Sequence, residues 1–325
     1  MKTASYRKIV YFLLQALAGI AIIAYITLYK FDLTEITAAI KNIHIAYFVL
    51  AALAYFIHNL LFSYRLSYLL QHIGHKIAYT KVLISHLGGM LVADITPGRS
   101  GYLLTPAFIK KITGARATDA MACIFAPEGL DLVLKGAGAM LALIYLLSST
   151  NSFYLPATTL LIAIIALILL GCLILAVSCL DEKYTRRILY KMPLLNRFSD
   201  QLSQFKHSGI KIKKNINVII VLYMLGWFFC GLQWYFIGKA MNLPITYLEF
   251  FLLHPLITAL MFIPLTPAGL GIMESGTVIA LGLLGIAPTT SFAFSLLVRT
   301  NIILTDATGI SAFLYQWKLS LSQGR

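Results

Sequence analysis

Apolar runs long enough to cross a bilayer recur along this chain, and they constrain its fold more than any other feature. A helix needs about 20 mostly apolar residues to span the roughly 30 Å hydrocarbon core of a membrane. Only 12% of the 325 residues are charged, against roughly 25% in soluble domains. This composition excludes a soluble enzyme and a disordered chain. It predicts an all-α polytopic membrane protein with about six full spans, at residues 9–28, 44–61, 117–147, 156–180, 216–240 and 290–317.

Two further apolar segments are too short to cross the membrane comfortably, since each has about 14 residues. Each ends in a helix-breaking sequence, TPGRSG at 96–101 or PLTPAGLG at 264–271, at what would be membrane depth. A short helix is predicted after each breaker. We therefore predict two re-entrant hairpins of broken helix, over 82–112 and 249–285. The alternative is that each short segment crosses the membrane once.

Basic residues predict the orientation, because Lys and Arg accumulate in cytoplasmic loops. With two re-entrant hairpins, 20 of the 26 Lys and Arg fall on one side, including Arg65 and nine residues of 181–215. Lys30, Lys41 and Lys239 fall on the other side, and Arg99, Lys135 and Arg299 lie within the membrane. We therefore predict a multi-pass protein of a prokaryotic cytoplasmic membrane with both termini cytoplasmic. The net charge of +14 is then an orientation signal, and no nucleic-acid partner is expected.

The two breaker sequences suggest an internal repeat. ITPGRSG at 95–101 and LTPAGLG at 265–271 share a Thr-Pro pair and a final glycine at an offset of 170 residues. The same offset carries the second span onto the span at 216–240. Three crossings per half would make the second half, 151–325, inverted relative to the first, 1–150. Inverted repeats with broken helices near the midplane are a recurring plan of secondary transporters.

The first breaker loop can bind an anion in this interpretation. Pro and Gly leave backbone groups that lipid cannot satisfy, so such loops occur where protein or water lines them. The N-terminal amides of a half-helix attract anions, and the Arg99 guanidinium adds a fork that matches phosphate or carboxylate. Gly98, Gly101 and Tyr102 belong to the same candidate site. The alternative is that Arg99 pairs with Asp94 or Glu128 and only pins the hairpin.

Charged residues at membrane depth supply the other candidates. Glu274 begins the second half-helix and is either a cap of that helix or a protonatable carboxylate that couples transport to protons. Glu128 and Asp131 share a helix face, and Lys135 follows Asp131 by one turn, so an internal Asp–Lys pair is the alternative there. Arg299 and Asp306 also share a face. Gly269 and Gly271 of the second breaker complete the candidate set.

Isolated polar residues in the apolar runs are predicted to be structural. His58 and His254 are interpreted as satisfied core side chains, with a proton relay as the alternative. The four cysteines have no metal-ligand spacing and are predicted to be buried thiols. No cofactor or metal is expected. The basic stretch at 181–215 is predicted to lie on anionic headgroups or, alternatively, to be a solvated linker.

The motifs, taken in order, resemble a known family. PGRSG at 97–101, then Glu128 and Asp131, then TPAGLGIMES at 266–275 are similar to the flippase-like family built on the transmembrane region of lysylphosphatidylglycerol synthase. The resemblance covers nearly the whole chain. Arg99, Glu128, Asp131, Gly269, Gly271 and Glu274 match the family pattern. Tyr102 stands where that pattern has Glu, Gly129 where it has Arg, and Ala268 where it has Gly.

The resemblance implies movement of an anionic or polyprenyl-linked lipid between leaflets, with no enzymatic step. Members that aminoacylate lipids carry a soluble acyltransferase domain, for which no extramembrane segment of these residues has room. A proton-coupled transporter of a small soluble anion is the first alternative, and a membrane-embedded lipid glycosyltransferase the second. The expected partner is a membrane lipid, with coupling protons and further copies of the chain in a homo-oligomer as additional candidates.

Overall fold

The computed structural model describes residues 33–149, 157–179, 199–261, 266 and 269–323. The predicted first span at 9–28, most of the basic connection, and Pro264 and Pro267 lie outside these residues. The described part is helical: α1 (Leu33–Lys41), α2 (Ile45–His72), α3 (Tyr79–Ala93), α4 (Thr105–Thr113), α5 (Ala117–Ser149), α6 (Ala157–Cys179), α7 (Ser199–Lys213), α8 (Ile216–Ala240), α9 (Tyr247–Leu260), α10 (Ile272–Leu283), α11 (Pro288–Asp306) and α12 (Ile310–Gln323). Short 3-10 turns at Ser100–Leu104 and Ala307–Gly309 precede α4 and α12.

Four helices are long and apolar enough to cross a membrane, namely α2, α5, α6 and α8. They confirm the prediction of a helical integral membrane protein. The predicted last span at 290–317 is instead divided by the 3-10 turn after Asp306. The turn is packed tightly, since a Cβ on Gly309 would lie 2.2 Å from the carbonyl oxygen of Leu87. Contact with α3 therefore accounts for the break.

Helices α2 and α8 form a central antiparallel pair. The rings of Tyr47 and Phe236 stack near one end, and Phe62 meets Tyr223 edge to face, with a centroid separation of 5.1 Å, further along. The amide of His44 also donates to the carbonyl of Ala240 at 2.9 Å. Residue numbers rise along one helix as they fall along the other. One end of this pair therefore holds the start of α2 and the end of α8.

Each breaker joins two short arms that pack against each other. In the first hairpin, Ile84 of α3 lies in one apolar cluster with Phe108 and Ile112 of α4. The arms are therefore antiparallel, and Tyr79 and Thr113 lie at the same end of the hairpin. In the second hairpin, α9 packs on α10, with Leu260 against Gly276.

The helix order repeats at the offset of 170 residues. Shifted by this amount, α1, α2, α3, α4 and α5 fall on α7, α8, α9, α10 and the α11–α12 pair. The contacts between the two halves follow the same correspondence. Helix α1 of the first half packs on α11 of the second, and α7 of the second half packs on α5 of the first. Helix α3 packs on α11 and α12, and α9 packs on α5. Each hairpin therefore contacts the long helix of the opposite half.

The side chains of α6 explain an incorrect cysteine prediction. Cys123 and Cys230 are buried, as predicted, but Cys172 is exposed and Cys179 is only half-buried. Both belong to α6, which lies at the periphery of the bundle and buries little of its surface. Its apolar side chains face outward, where lipid satisfies them as well as a protein core does.

Candidate functional site

A cavity of about 380 Å³ lies inside the bundle, between α2, the first hairpin loop, α5, α6, α8 and α9. This volume is within the roughly 300–1,000 Å³ typical of ligand sites. Five of the predicted site residues line it: Gly98, Arg99, Tyr102, Glu128 and Asp131. Aromatic rings, among them Trp227 and Trp234, form much of the remaining wall. The first breaker and α5 therefore meet in one cavity.

Backbone conformation places Arg99 at this cavity. Gly98 and Arg99 have φ angles of 57° and 54°, both in the left-handed region that L side chains rarely adopt. The guanidinium Nη2 lies 3.1 Å from Asp94 Oδ1 and 3.7 Å from Asp306 Oδ2. Asp94 is one of the two predicted partners, whereas Glu128 binds a different arginine. Strained backbone held by its surroundings is common at functional sites.

Asp306 is fully buried and receives two neutral donors besides Arg99. The Tyr55 hydroxyl donates to Oδ2 at 3.0 Å, and the Asn59 amide donates to Oδ1 at 2.8 Å. Both donors lie on α2. A carboxylate from the last span, an arginine from the hairpin loop and two polar groups from α2 therefore form one buried cluster.

Four loop amides of the first hairpin are paired within the loop, so these four are not the free donors that the sequence analysis expected there. The amides of Arg99 and Ser100 donate to the carbonyls of Thr96 and Pro97 at 3.2 and 3.1 Å, and that of Tyr102 to the Arg99 carbonyl at 3.1 Å. The amide of Gly101 donates to Thr96 Oγ1 at 2.7 Å. A Cβ on Gly101 would lie 2.5 Å from the Val92 carbonyl, so this glycine permits close packing of the two arms.

Arg65 is a site residue that the sequence prediction missed, because it was assigned to a cytoplasmic loop. It is 1% exposed and lies inside α2, which continues beyond the predicted span end at residue 61. Its guanidinium is 4.5 Å from the ring centroids of both Phe62 and Tyr223. Nη2 also lies 3.6 Å from Glu128 Oε1. The lack of any helix breaker between 61 and 72 was the available signal.

Most of the remaining polar residues of the cavity have local partners. Lys135 forms an ion pair with Asp131 across one turn of α5, as the alternative prediction held. The Tyr102 hydroxyl lies 3.0 Å from His86 Nδ1. His58 and His254 both line the cavity. His58 Nδ1 lies 3.2 Å from the Gly226 carbonyl oxygen, whereas His254 Nδ1 has no hydrogen-bond partner among the described residues.

A second cluster, which does not line this cavity, contains the four predicted site residues of the second half, namely Gly269, Gly271, Glu274 and Arg299. Glu274 is fully buried, and its Oε2 accepts from the amide of Gly271 at 2.6 Å, which is the predicted helix cap. Its Oε1 forms an ion pair with Arg299. Arg299 Nη2 also donates to the carbonyl of Gly269 at 3.4 Å. The cluster thus joins the tip of the second hairpin to α11.

The cavity reaches the outer surface of the bundle between the first hairpin and α6. Leu103 and Leu170 line it and are nevertheless 43% and 48% exposed. Leu170 lies near the middle of α6, the most apolar of the four spans. The exposed end of the cavity is therefore apolar and lies beside the middle of α6, while its lining also includes Arg99, Glu128 and Asp131.

Fold and site together define an integral membrane protein with a charged cavity inside its helical bundle. The sequence pattern described as the Lysylphosphatidylglycerol synthase TM region matches residues 12–305, so the chain belongs to that family. The resemblance stated from the motifs is thereby confirmed.

Two archaeal proteins are similar to the chain. It is 28% identical over 218 residues to the UPF0104 membrane protein MJ1078 of Methanocaldococcus jannaschii, covering 65% of this chain and 87% of that protein. It is 24% identical over 254 residues to the UPF0104 membrane protein PH1989 of Pyrococcus horikoshii, covering 71% of this chain and 75% of that protein.

Proposed function

We propose that this protein moves an anionic membrane lipid, a phospholipid or a polyprenyl-phosphate-linked lipid, between the two leaflets. One observation carries the proposal: a cavity lined by an arginine and acids opens beside the exposed Leu103 and Leu170, the second of which lies near the middle of the most apolar span. A lipid has the matching chemistry, since its phosphate can enter the polar part while its tails stay in the apolar mouth. The proposal is for translocation without bond cleavage, not for an enzyme.

Arg99 is the residue that would bind the phosphate. Its guanidinium lines the cavity and is only 16% exposed, so water competes weakly for it. Guanidinium groups bind phosphate through paired charge-assisted hydrogen bonds. Glu128 and Asp131 keep their own basic partners, Arg65 and Lys135, and would limit which headgroups fit.

The architecture that supports this proposal is an inverted repeat of six spans and two re-entrant hairpins. The matching helix order, the exchanged packing of the two halves and the antiparallel hairpin arms support it. The spans would include residues 9–28, and the halves would be 1–150 and 151–325. In this plan the two hairpin tips approach the midplane from opposite sides, as in transporters that alternate access around a fixed site.

The orientation in the proposal follows from the two ends of the α2–α8 pair. Lys41 and Lys239 are exposed near the end where His44 contacts Ala240. The opposite end carries most of the other exposed basic side chains, including Lys76, Lys211 and Lys213. We place that end, with both termini, in the cytoplasm of a prokaryotic cell.

A soluble anion is the competing substrate, because Arg99 would bind its charge equally well. The apolar mouth favours the lipid, since a soluble anion gains nothing from an opening into hydrocarbon. A lipid glycosyltransferase needs a nucleotide-sugar site, for which the sequence offers no motif. Transport of a lipid is therefore the function that the geometry supports best.

The test is translocation of fluorescent phosphatidylglycerol, and separately of a fluorescent polyprenyl phosphate, in liposomes containing the purified protein. Wild type is expected to expose inner-leaflet label to an external quencher. Arg99→Ala is expected to slow this at least about tenfold, since a charge-assisted hydrogen bond contributes roughly 1.5–3 kcal/mol. Arg116→Ala is the matched control, because it removes an exposed arginine outside the cavity. A correctly folded wild type that moves neither lipid would refute the proposal.

A further inference from the structure

The buried cluster of Asp94, Asp306 and Arg99 beside the cavity contains two acidic side chains and one basic side chain. Both carboxylates contact the same nitrogen of Arg99, at 3.1 and 3.7 Å, so one guanidinium serves two acids. Their side chains are 6% and 0% exposed. One guanidinium compensates only one of these two buried negative charges, and an uncompensated charge inside an apolar bundle costs several kcal/mol.

The two acids differ in the hydrogen-bond donors that they retain when Arg99 binds another anion. Asp306 retains the Tyr55 hydroxyl and the Asn59 amide as donors, one on each oxygen. Asp94 Oδ2 is buried and has no hydrogen-bond partner among the described residues. That oxygen therefore has no donor even while Arg99 binds Oδ1. It is an independent sign that the pair is built for a further ligand.

Arg99 links this pair to the cavity, because the same guanidinium borders both. A phosphate that binds Arg99 from the cavity competes directly with Asp94 and Asp306 for its positive charge. The two carboxylates would then face each other with less compensation. Tyr55 lines the cavity and donates to Asp306, so it connects the cavity with the pair.

We propose that the Asp94–Asp306 pair is a proton site coupled to anion binding, so that the anion and a proton bind together. In this step an O–H bond of a solvent hydronium ion breaks and an O–H bond forms on one carboxylate oxygen of the pair. No other bond forms or breaks. This inference rests on the proposed function, since it assigns the ion that would accompany the lipid phosphate.

Other groups near the pair already have partners or lie further away. Those that face it from the packed elements are Tyr55 on α2, His86 on α3 through Asn59, Arg99 in the loop and Cys230 on α8. The Glu274–Arg299 ion pair lies two turns before Asp306 on α11 and neutralises itself. The pair therefore carries the uncompensated negative charge of this region.

The experiment measures protons taken up per bound anion by titration calorimetry of the full-length protein in detergent, in two buffers with different ionisation enthalpies. The probes are dihexanoyl phosphatidylglycerol and dimethyl phosphate, because a phosphodiester does not itself titrate near pH 7. In a series of pH values, wild type is expected to reach a maximum of about one proton taken up per anion, at the pH where the free pair is ionised and the anion-bound pair holds a proton. The ratio is expected to fall towards zero in Asp94→Asn and in Asp306→Asn. Asp119→Asn, an acid bound to His75 and Ser208 outside the cavity, is the control and keeps the ratio.

The outcomes separate this inference from the proposed function. Binding without proton uptake by wild type, or uptake that persists in both variants, overturns the proton site and leaves lipid transport standing. Uptake with dimethyl phosphate, combined with no lipid movement in liposomes, supports the proton site and refutes the lipid. If wild type binds neither probe, both proposals fail. Because the ratio is normalised to bound anion, a lower affinity in a variant does not affect the result.

Discussion

Gly129 and Gly171 meet at the crossing of α5 and α6, each lying where the other leaves no room for a side chain. A Cβ on Gly129 would lie 3.0 Å from the carbonyl oxygen of Gly171, and a Cβ on Gly171 would lie 2.7 Å from that of Gly129. Small residues let membrane helices approach this closely. Position 129 is where the family pattern has an arginine. In this chain it is turned towards α6.

Gly129→Ala is therefore expected to destabilise the protein by about 1–3 kcal/mol, because overpacking forces the two helices apart. Gly129→Arg should be worse and should not be rescued by Tyr102→Glu, which restores the other residue of the family pattern. The measurement is the thermal unfolding midpoint in detergent. Gly282→Ala is the control, since nothing lies within 4 Å of a Cβ there. Recovery of stability in the double variant would contradict this packing argument.

Arg65→Met is expected to lower the free energy of unfolding by about 2–3 kcal/mol, because it leaves Glu128 without its basic partner. This is less than the roughly 3–5 kcal/mol typical of breaking a fully buried ion pair, because the Glu128 side chain is 25% exposed. Arg65→Met combined with Glu128→Gln should be more stable than Arg65→Met alone, because methionine still fills the space between Phe62 and Tyr223. Denaturation in detergent measures both. Equal stability of the single and double variants would show that the ion pair contributes nothing.

Glu274→Gln tests whether the second cluster stabilises the fold or binds the substrate. The substitution removes the charge that pairs with Arg299 but retains an oxygen for the Gly271 amide. We expect a lower unfolding midpoint, with lipid movement per folded protein close to that of wild type. Glu274→Ala, which also removes the cap, should cost about 1 kcal/mol more. Loss of transport in a well-folded Glu274→Gln variant would show that this carboxylate belongs to the substrate site.

Cysteine labelling in cells tests the proposed orientation. In a background with the four native cysteines replaced by alanine, Lys239→Cys should react with a membrane-impermeant maleimide in intact cells. Lys76→Cys should react only after permeabilisation. Both side chains are exposed, so the difference measures sidedness and not burial. Lys41→Cys should behave as Lys239→Cys does. The reversed pattern would invert the proposed topology.

The sequence predicted the features that depend on local pattern. The breaker sequences predicted the breaks between α3 and α4 and between α9 and α10, one-turn spacing predicted the Asp131–Lys135 pair, and the position of Glu274 predicted its cap. It could not assign Arg99 to Asp306, because about 200 residues separate them and only tertiary packing joins them. Shared helical periodicity placed Arg299 and Asp306 on one face of α11. Their partners, Glu274 and Arg99, come from opposite hairpins and could not be read from that periodicity.

Arg65 was missed for a different reason. A basic residue just beyond an apolar run normally marks the cytoplasmic end of a span, and the rule that uses this is statistical. Here two aromatic rings and Glu128 stabilise the guanidinium inside the bundle. Glu128 comes from α5 and Tyr223 from α8, so the sequence of α2 itself offers only Phe62 and the absence of a helix breaker.

The exchanged packing of the two halves has a consequence for biosynthesis. The first hairpin leaves the ribosome long before α11 and α12, on which α3 packs, have been made. During that interval Arg99 has Asp94 as its nearby acidic partner, and Asp306 arrives only with the last span. We therefore expect the Arg99–Asp94 pair to compensate the guanidinium charge until Asp306 has been made. The contacts of α3 with α11 and α12 are expected to form only after the last helices have been synthesised.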